Sequence, residues 1–254
     1  MKSKGVFLLV TLLTAGLSAT SCKKQDDTRM PVTPETADFG PASSRDSLPA
    51  DSTTIHSYLA LGDSYTIGAS VPVKDRYSVQ VVGLLRAKGY RFSDPEIIAT
   101  NGWTTTNLLA AIQNKTSSVP YTVVSLLIGV NNQYQGGGAD NYRQQFTTLL
   151  KQCIQLAGNK PSHVIVLSIP DYSVTPFAKE LNRASIVGQI NIFNEINYDV
   201  SASYHTLYLN VTEESRKALT NTSLIAPDGL HFSGEEYGIW ASMLGPLMEK
   251  AVAN

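Results

Sequence analysis

Residues 58–68 read Tyr58-Leu59-Ala60-Leu61-Gly62-Asp63-Ser64-Tyr65-Thr66-Ile67-Gly68. A short apolar run ends in Gly-Asp-Ser, and a segment that turns helical follows it. This pattern is typical of a parallel strand that delivers one serine to the rim of a sheet, because glycine permits a tight backbone path and the helix start supplies free N–H groups. Ser64 is therefore a candidate nucleophile. The tripeptide alone fits equally well a strand-to-helix turn in which Ser64 is an ordinary N-cap.

Beyond residue 55, short apolar runs alternate with segments of helical periodicity. The pattern predicts strands at 58–61, 97–100, 122–128, 164–169 and 207–211. It predicts longer helices at 77–88, 104–113, 141–156, 184–204 and 234–252. This alternation favours a three-layer α/β/α protein, with a five-stranded parallel sheet between two layers of helices. Ligands of such sheets bind beyond the carboxyl ends of the strands, where we expect the functional site.

The composition describes a globular protein with a sizeable core. Of its 254 residues, 43% are hydrophobic and 16% are charged, which is not the composition of a disordered chain. The formal net charge is -1, and Lys and Arg form no run beyond the extreme N-terminus, so nucleic acid is not an expected partner. Cys153 falls in a helical apolar pattern and is expected to be a buried free thiol.

Residues 1–22 have the organisation of an export signal. Two lysines precede an apolar run at 5–17, and small residues then lead to Cys22. This segment resembles a bacterial lipobox, although Ala19 stands where leucine is commonest; the alternative is an ordinary secreted protein. We expect Cys22 to be lipidated and to anchor the protein in the membrane of the bacterial cell envelope, on its periplasmic or surface face.

Residues 23–54 differ in composition from the rest of the chain. Pro, Ser, Thr and Asp dominate there, large apolar residues are sparse, and no periodicity occurs. Such a segment is typical of a flexible linker. We therefore expect a tether that connects Cys22 to a folded domain at 55–254.

Glycine and polar residues with catalytic potential follow the predicted strands. Asn101-Gly102-Trp103 follows the second strand, and Gly129-Val130-Asn131-Asn132 follows the third. Pro227-Asp228-Gly229-Leu230-His231-Phe232-Ser233 stands near the C-terminus. Together with Gly62-Asp63-Ser64, these blocks resemble the SGNH, or GDSL-type, family of serine esterases and lipases, which is named for one Ser, Gly, Asn and His that occur in this order. The resemblance covers nearly all of residues 55–254 and implies a flavodoxin-like SGNH hydrolase fold.

The resemblance also implies a role for each of these residues. Ser64 would be the nucleophile, and His231 would activate it as general base. Asp228 would orient the His231 ring and stabilise the imidazolium. The oxyanion of the tetrahedral intermediate would be bound by the backbone N–H groups of Ser64 and Gly102 and by the side-chain amide of Asn131. Glycine at 102 suits a backbone that approaches a substrate closely, and neither a metal nor an organic cofactor is implied.

The third block departs from the family pattern, which usually reads Gly-x-Asn-Asp. Asn132 follows Asn131 here and is a neighbouring candidate for the oxyanion donor, while a helix cap is the alternative role for either asparagine. Asp63 is expected to support its turn through local backbone hydrogen bonds. Three aromatic residues flank the predicted site and either line an acyl or sugar pocket or pack in the core: Tyr65, Trp103 and Tyr134.

The function that the resemblance implies is a carboxylester hydrolase that works through an acyl-enzyme. The family includes lipases, lysophospholipases, thioesterases and deacetylases of polysaccharides, so the substrate would be an ester of a small molecule, a glycan or a lipid. We expect a preference for short, acetyl-type acyl groups, with lipid esters as the alternative. A catalytically silent, tethered carbohydrate-binding protein and a flavodoxin-like cofactor binder are alternatives from other classes, although the chain has no phosphate-binding motif.

Overall fold

Five parallel strands form the central sheet of this computed structural model, which describes residues 54–116 and 119–253. They are β1 (Tyr58–Gly62), β2 (Glu96–Ala99), β3 (Val123–Leu127), β4 (Val164–Leu167) and β5 (Leu207–Leu209). Their order across the sheet is β2-β1-β3-β4-β5, and all neighbouring pairs are parallel. This order is that of a flavodoxin-like doubly wound sheet, so the predicted fold class is confirmed. The predicted export signal, Cys22 and the tether up to residue 53 lie outside the described residues.

Helices cover both faces of the sheet. They are α1 (Ser64–Ile67), α2 (Tyr77–Ala87), α3 (Thr105–Ile112), α4 (Val130–Tyr134), α5 (Ala139–Leu156), α6 (Arg183–Ser203), α7 (Thr212–Ser215) and α8 (Gly234–Val252). α2 packs against α8, whereas α5 packs against α3 and α6. With right-handed crossovers, α2 and α8 therefore lie on one face and α3, α5 and α6 on the other. Within residues 54–116 and 119–253, none of the helices has the length and apolar character needed to span a bilayer.

The hydrophobic core lies on both sides of the central strands. Every residue of β1, β3 and β4 is buried, as expected for parallel strands that have helices on both faces. The edge strands β2 and β5 are partly exposed. Cys153 on α5 is completely buried in this core, and burial raises the pKa of its thiol to about 12. A side chain in this environment packs as a small hydrophobe.

The direction of winding reverses between β1 and β3. The first connection runs from β1 to β2 at one edge, whereas the later connections run through β3 and β4 to β5 at the other. A sheet of this kind forms a ligand crevice where the strand order reverses, outside the carboxyl ends of the strands. Ser64 follows β1 and Asn131 follows β3, so the topology brings these two residues to the same crevice.

Candidate active site

The turn after β1 holds Ser64 at the start of α1. A Cβ at Gly62 would lie 2.3 Å from the carbonyl oxygen of Leu127, so only glycine fits the end of this strand. Asp63 is the N-cap of α1, and its Oδ1 accepts a hydrogen bond of 3.0 Å from the backbone N–H of Tyr65. Ser64 is the first residue of the helix and is 6% exposed. The alternative in which Ser64 itself is the N-cap is therefore wrong.

Asp63 is completely buried next to Ser64. Burial raises the pKa of its carboxyl to about 7, although backbone hydrogen bonds oppose this shift. Its second oxygen, Oδ2, has no hydrogen-bond partner among the described residues. Asp63 thus supports the turn through local backbone contacts, as the sequence predicts, and near neutral pH both its protonated and ionised forms are populated.

Asp228 and His231 form a pair within one short loop. Oδ2 of Asp228 lies 2.6 Å from Nδ1 of His231, and Oδ1 accepts hydrogen bonds of 2.9 Å from the backbone N–H groups of Leu230 and His231. Partial burial raises the pKa of Asp228, but its hydrogen bonds outweigh burial and hold that pKa well below its usual value. An ionised Asp228 only accepts hydrogen bonds, so Nδ1 of His231 carries the proton. Nε2 is then free to accept a proton from a nucleophile.

Ser70 is a further partner of this pair that the sequence did not suggest. Its hydroxyl donates a hydrogen bond of 2.5 Å to Oδ2 of Asp228, across a separation of 158 residues. No motif in the chain marks Ser70. The contact depends on the tertiary fold, which places the loop after α1 beside the loop that carries His231.

A cavity of about 240 Å³ lies at the carboxyl edge of the sheet. It brings together Ser64, Gly102, Asn131 and His231, and Asp228 lies behind the His231 ring. The complete lining consists of Ser64, Tyr65, Asn101, Gly102, Val130, Asn131, Tyr134, Tyr172, Phe177, Leu230 and His231. The Ser64 hydroxyl forms no hydrogen bond to another residue in the described part of the chain. Catalytic hydrogen bonds of this kind often tighten only when substrate binds.

Two of the predicted oxyanion donors, Gly102 and Asn131, are positioned by different structural features. Gly102 lies in an exposed turn with a φ of +79°, a conformation that favours glycine. A Cβ there would meet no described atom within 4 Å, so backbone conformation, rather than crowding by the protein, explains the glycine. Asn131 lies on α4 and donates a hydrogen bond of 2.9 Å from Nδ2 to the carbonyl oxygen of Trp103. An amide nitrogen has two N–H groups, so one remains available for a ligand.

Asn132 has a different environment from Asn131. It is buried and does not line the cavity. Its Oδ1 accepts a hydrogen bond of 3.0 Å from the backbone N–H of Thr105, and its Nδ2 donates one of 2.7 Å to the Thr105 hydroxyl. The Thr105 hydroxyl in turn donates to Gln145. Asn132 therefore links α4 to the start of α3, and Asn131 is the asparagine that the structure places in the cavity.

An aromatic wall closes one side of the cavity, and we define it as Tyr134, Tyr172 and Phe177. Their ring centroids lie between 5.9 and 6.4 Å apart, within the range of edge-to-face contacts. Tyr172 is buried, whereas Tyr134 and Phe177 are 56% and 45% exposed. Of the three aromatic residues that the sequence singled out, Tyr134 and Tyr65 line the cavity, and Trp103 packs against the core instead.

Comparison with known proteins agrees with this architecture. Residues 60–239 match the pattern of the GDSL-like lipase/acylhydrolase family. The fold and this match define a carboxylic ester hydrolase of the α/β class. The chain belongs to the GDSL-like lipase/acylhydrolase family. A search of curated proteins finds no match.

Solved structures show the same fold at low sequence identity. EstA, a psychrotrophic esterase from Pseudoalteromonas sp., is 16% identical with a TM-score of 0.57, over 78% of this chain and all (100%) of that chain. Axe2, an acetylxylan esterase from Geobacillus stearothermophilus, is 18% identical with a TM-score of 0.57, over 76% and 94% of the two chains. A member of the lipolytic G-D-S-L family from Veillonella parvula is 17% identical with a TM-score of 0.56, and the match covers 75% of this chain and 96% of that chain.

Proposed function

We propose that Ser64 attacks the carbonyl carbon of a carboxylic ester and that the reaction proceeds through an acyl-enzyme. The observation that carries this proposal is the cavity shared by Ser64 and His231, with Asp228 bonded to the opposite side of the His231 ring. His231 takes the hydroxyl proton at Nε2 and gives it to the leaving alcohol. In the second half-reaction it deprotonates a water molecule, which attacks the acyl-enzyme and releases the acid. Asp228 holds the ring in the required tautomer and stabilises the imidazolium.

The oxyanion of each tetrahedral intermediate binds to three donors in this proposal. Two are the backbone N–H groups of Ser64, at the N-terminus of α1, and of Gly102. The third is the amide N–H of Asn131 that is not donated to Trp103. Because the amide is neutral, it stabilises the oxyanion without repelling a protonated His231. Each such donor is worth about 100- to 1000-fold in turnover.

The size and lining of the cavity favour a short acyl group as the part that enters it. A cavity of about 240 Å³ is smaller than the pockets of about 300–1,000 Å³ that enclose drug-sized ligands. The exposed faces of Tyr134 and Phe177 offer apolar contact area to the alcohol part of the ester, such as the face of a sugar ring. We therefore propose acetyl-type esters of glycans or small molecules as substrates. Two of the similar structures are named as acetylxylan esterases, which supports this choice.

The test is ester hydrolysis by the purified chain and by two serine variants. The substrates are p-nitrophenyl esters from acetyl to palmitoyl, together with acetylated xylan. Ser64→Ala should lower kcat by at least about 1000-fold, because it removes the nucleophile. Ser242→Ala is the matched control, since Ser242 is exposed on α8, where its hydroxyl donates a hydrogen bond to the carbonyl oxygen of Ile239 one turn earlier. It should leave activity unchanged.

The outcomes separate the candidate functions. Activity that is highest on acetyl esters and lost in Ser64→Ala supports the proposal. A maximum at long acyl chains would make the protein a lipid esterase of lipase or lysophospholipase type. Equal activity of Ser64→Ala and the parent would contradict the role of Ser64. If the parent hydrolyses nothing in the panel but binds glycans as tightly as Ser64→Ala does, the protein is a carbohydrate-binding protein.

We also propose that the protein is exported and held in the cell envelope by a lipid on Cys22. The support is the n-region, the apolar run and the small residues that precede Cys22 in the sequence. Such an anchor would keep the catalytic domain close to envelope glycans and lipids. Glycan and lipid esters of the envelope would then lie within reach of a domain on a tether of about 30 residues.

A further inference from the structure

The contact between Ser70 and Asp228 joins the two loops that carry the reacting side chains. Ser70 follows Ser64 by six residues, and Asp228 precedes His231 by three. The Ser70 hydroxyl and Nδ1 of His231 bind the same carboxylate oxygen, Oδ2, at 2.5 and 2.6 Å. A chain of hydrogen bonds therefore runs from His231 through Asp228 to the loop that follows the nucleophile.

The backbone at Ser70 has a conformation that serine rarely adopts. Its φ is +65°, in the left-handed region. Among the described residues, two other non-glycine positions share this property, Asn159 and His205, and both residue types are enriched in this region. Serine has no such preference. Unfavourable backbone conformations persist where surrounding contacts impose them, and they are concentrated at functional sites.

The turn before Ser70 explains how this conformation is reached. Gly68 is the C-cap of α1 and is itself left-handed, with a φ of +68°. The backbone N–H of Val71 donates a hydrogen bond of 3.3 Å to the Gly68 carbonyl oxygen. The chain therefore folds back tightly within a few residues of the nucleophile. This tight turn brings the Ser70 hydroxyl to Asp228.

The Asp228 carboxylate has donors on both of its oxygens. Oδ1 is held by the backbone N–H groups of Leu230 and His231, which belong to its own loop. Oδ2 is held by Ser70 and by the His231 ring. Without Ser70, the ring that Asp228 has to orient would be the remaining side-chain donor to Oδ2. Ser70 is solvent-exposed, so water would replace part of the lost contact.

We propose that Ser70 is a positioning residue for ester hydrolysis: its hydroxyl fixes the Asp228 carboxylate in the orientation that aligns His231 with Ser64. The inference rests on the proposed function of these residues. Ser70 does not line the cavity, so in this proposal it acts through Asp228. Its loss should therefore lower the rate of the chemical step while leaving substrate binding nearly unchanged.

Three variants separate the effect of the Ser70 hydroxyl from the effect of its left-handed backbone conformation. Ser70→Ala and Ser70→Gly both remove the hydroxyl, but only glycine adopts the left-handed conformation without strain. Ser70→Asn replaces the hydroxyl by an amide donor on a residue type that tolerates this conformation. Asn159→Gly is the matched control, because it relieves a left-handed position with a φ of +61° in the loop that follows α5.

Each variant of the full chain is assayed for kcat and KM on p-nitrophenyl acetate, across pH, with a thermal unfolding measurement. Ser70→Ala and Ser70→Gly should each lower kcat by roughly tenfold with KM within about twofold, the expectation for losing one hydrogen bond to a charged group. The acid limb of kcat/KM should move to higher pH, because Asp228 without the Ser70 donor accepts more strongly from protonated His231. Ser70→Asn should recover part of the rate. Asn159→Gly should match the parent in rate and pH profile.

The pH at which kcat/KM falls on the acid side would not change if Ser70 only stabilised the fold. Tyr65 is the titratable side chain whose ring packs against His231, at 5.6 Å between centroids. Burial, followed by nearby carboxylates that include Asp228, raises the pKa of Tyr65 well above its usual value, so it does not titrate in the same range. The charge of Asp63 also raises the pKa of Tyr65. Asp63 is present in every Ser70 variant, so it affects all of the pH profiles in the same way.

Two results would overturn the inference. One is a Ser70→Gly variant with the kcat and acid limb of the parent, which would assign any defect of Ser70→Ala to the backbone. The other is a rate loss that follows the fraction of unfolded protein and leaves the acid limb in place. Failure of the proposed function looks different, because then the parent itself would not hydrolyse esters or would not need Ser64.

Discussion

Two aspartates of this site show how strongly the surroundings decide the behaviour of one side chain. Asp228 receives hydrogen bonds from Ser70, from the His231 ring and from two backbone N–H groups, and these overcome the effect of burial on its pKa. Asp63 is more deeply buried, and burial raises its pKa to about 7. One of its oxygens has no hydrogen-bond partner within residues 54–116 and 119–253. Asp228 is therefore ionised across the neutral range, whereas Asp63 titrates within it.

The titration of Asp63 predicts a pH-dependent difference in stability. Because its pKa is higher in the folded protein than in the unfolded chain, the folded state binds the proton more tightly. The parent should therefore lose stability as pH rises from about 4 to about 7. Asp63→Asn cannot ionise and keeps a side chain that caps helices well. Urea titrations measure the free energy of unfolding of both proteins. The value for Asp63→Asn minus the value for the parent should increase by about 1–3 kcal/mol from pH 5 to pH 8.

The control for this measurement is Asp94→Asn, because the Asp94 side chain is 88% exposed. It should leave the pH dependence of stability nearly unchanged. Glu236 also has a pKa that burial raises to about 7, but it is present in all three proteins and cancels in the comparison. Parallel pH curves for Asp63→Asn and the parent would show that Asp63 keeps its charge at neutral pH.

At the scale of one element, α4 presents two adjacent asparagines to different surroundings. Successive residues on an α-helix point about 100° apart, so two neighbours in sequence can face different surroundings. Asn131 lines the cavity, whereas Asn132 bonds to the backbone and hydroxyl of Thr105 on α3. The resemblance implied Asn131 as the donor and left Asn132 as a neighbouring candidate, and the rotation of α4 about its axis places Asn131 in the cavity.

Single substitutions on α4 should separate catalysis from stability. Asn131→Ala should lower kcat by about 100-fold or more through loss of an oxyanion donor, with a small effect on unfolding. Asn132→Ala should destabilise the protein by about 1–3 kcal/mol, because it leaves the buried N–H of Thr105 without an acceptor. Ester kinetics and denaturant unfolding on both variants measure the two effects. The reverse assignment, with the larger rate loss in Asn132→Ala at full folding, would contradict this division of roles.

At the scale of the whole molecule, the sheet topology gathers residues that lie far apart in the chain. Ser64, Gly102 and Asn131 follow β1, β2 and β3, which are neighbours in the order β2-β1-β3. His231 comes from the segment between β5 and α8, and the contact of α8 with α2 returns this part of the chain to the side of β1. The predicted strands and longer helices all occur, with helix ends within two residues of those predicted.

The proposed lipid anchor also concerns the molecule as a whole. Expressed with its signal in a bacterial host, the parent should sediment with membranes and incorporate a labelled fatty acid. Cys22→Ser should do neither, because it removes the thiol that carries the lipid. Cys153→Ser is the control, since Cys153 is completely buried and should not affect membrane association if the protein folds. Membrane association that persists in Cys22→Ser would refute the anchor.

The α/β class, the order of strands and helices along the chain, and the blocks that contain the candidate residues could all be predicted from the amino-acid sequence. This was possible because hydrophobic periodicity and glycine-bearing turns are local properties that can be read along the chain. The tertiary structure was needed to show that Asn131, rather than Asn132, lines the cavity and that Ser70 bonds to Asp228. These outcomes depend on helix rotation and on contacts across as many as 158 residues, which no local pattern records. The aromatic wall is a further example. Tyr134 and Tyr172 lie in the segments that follow β3 and β4, and the pairing of these two strands places their rings in contact.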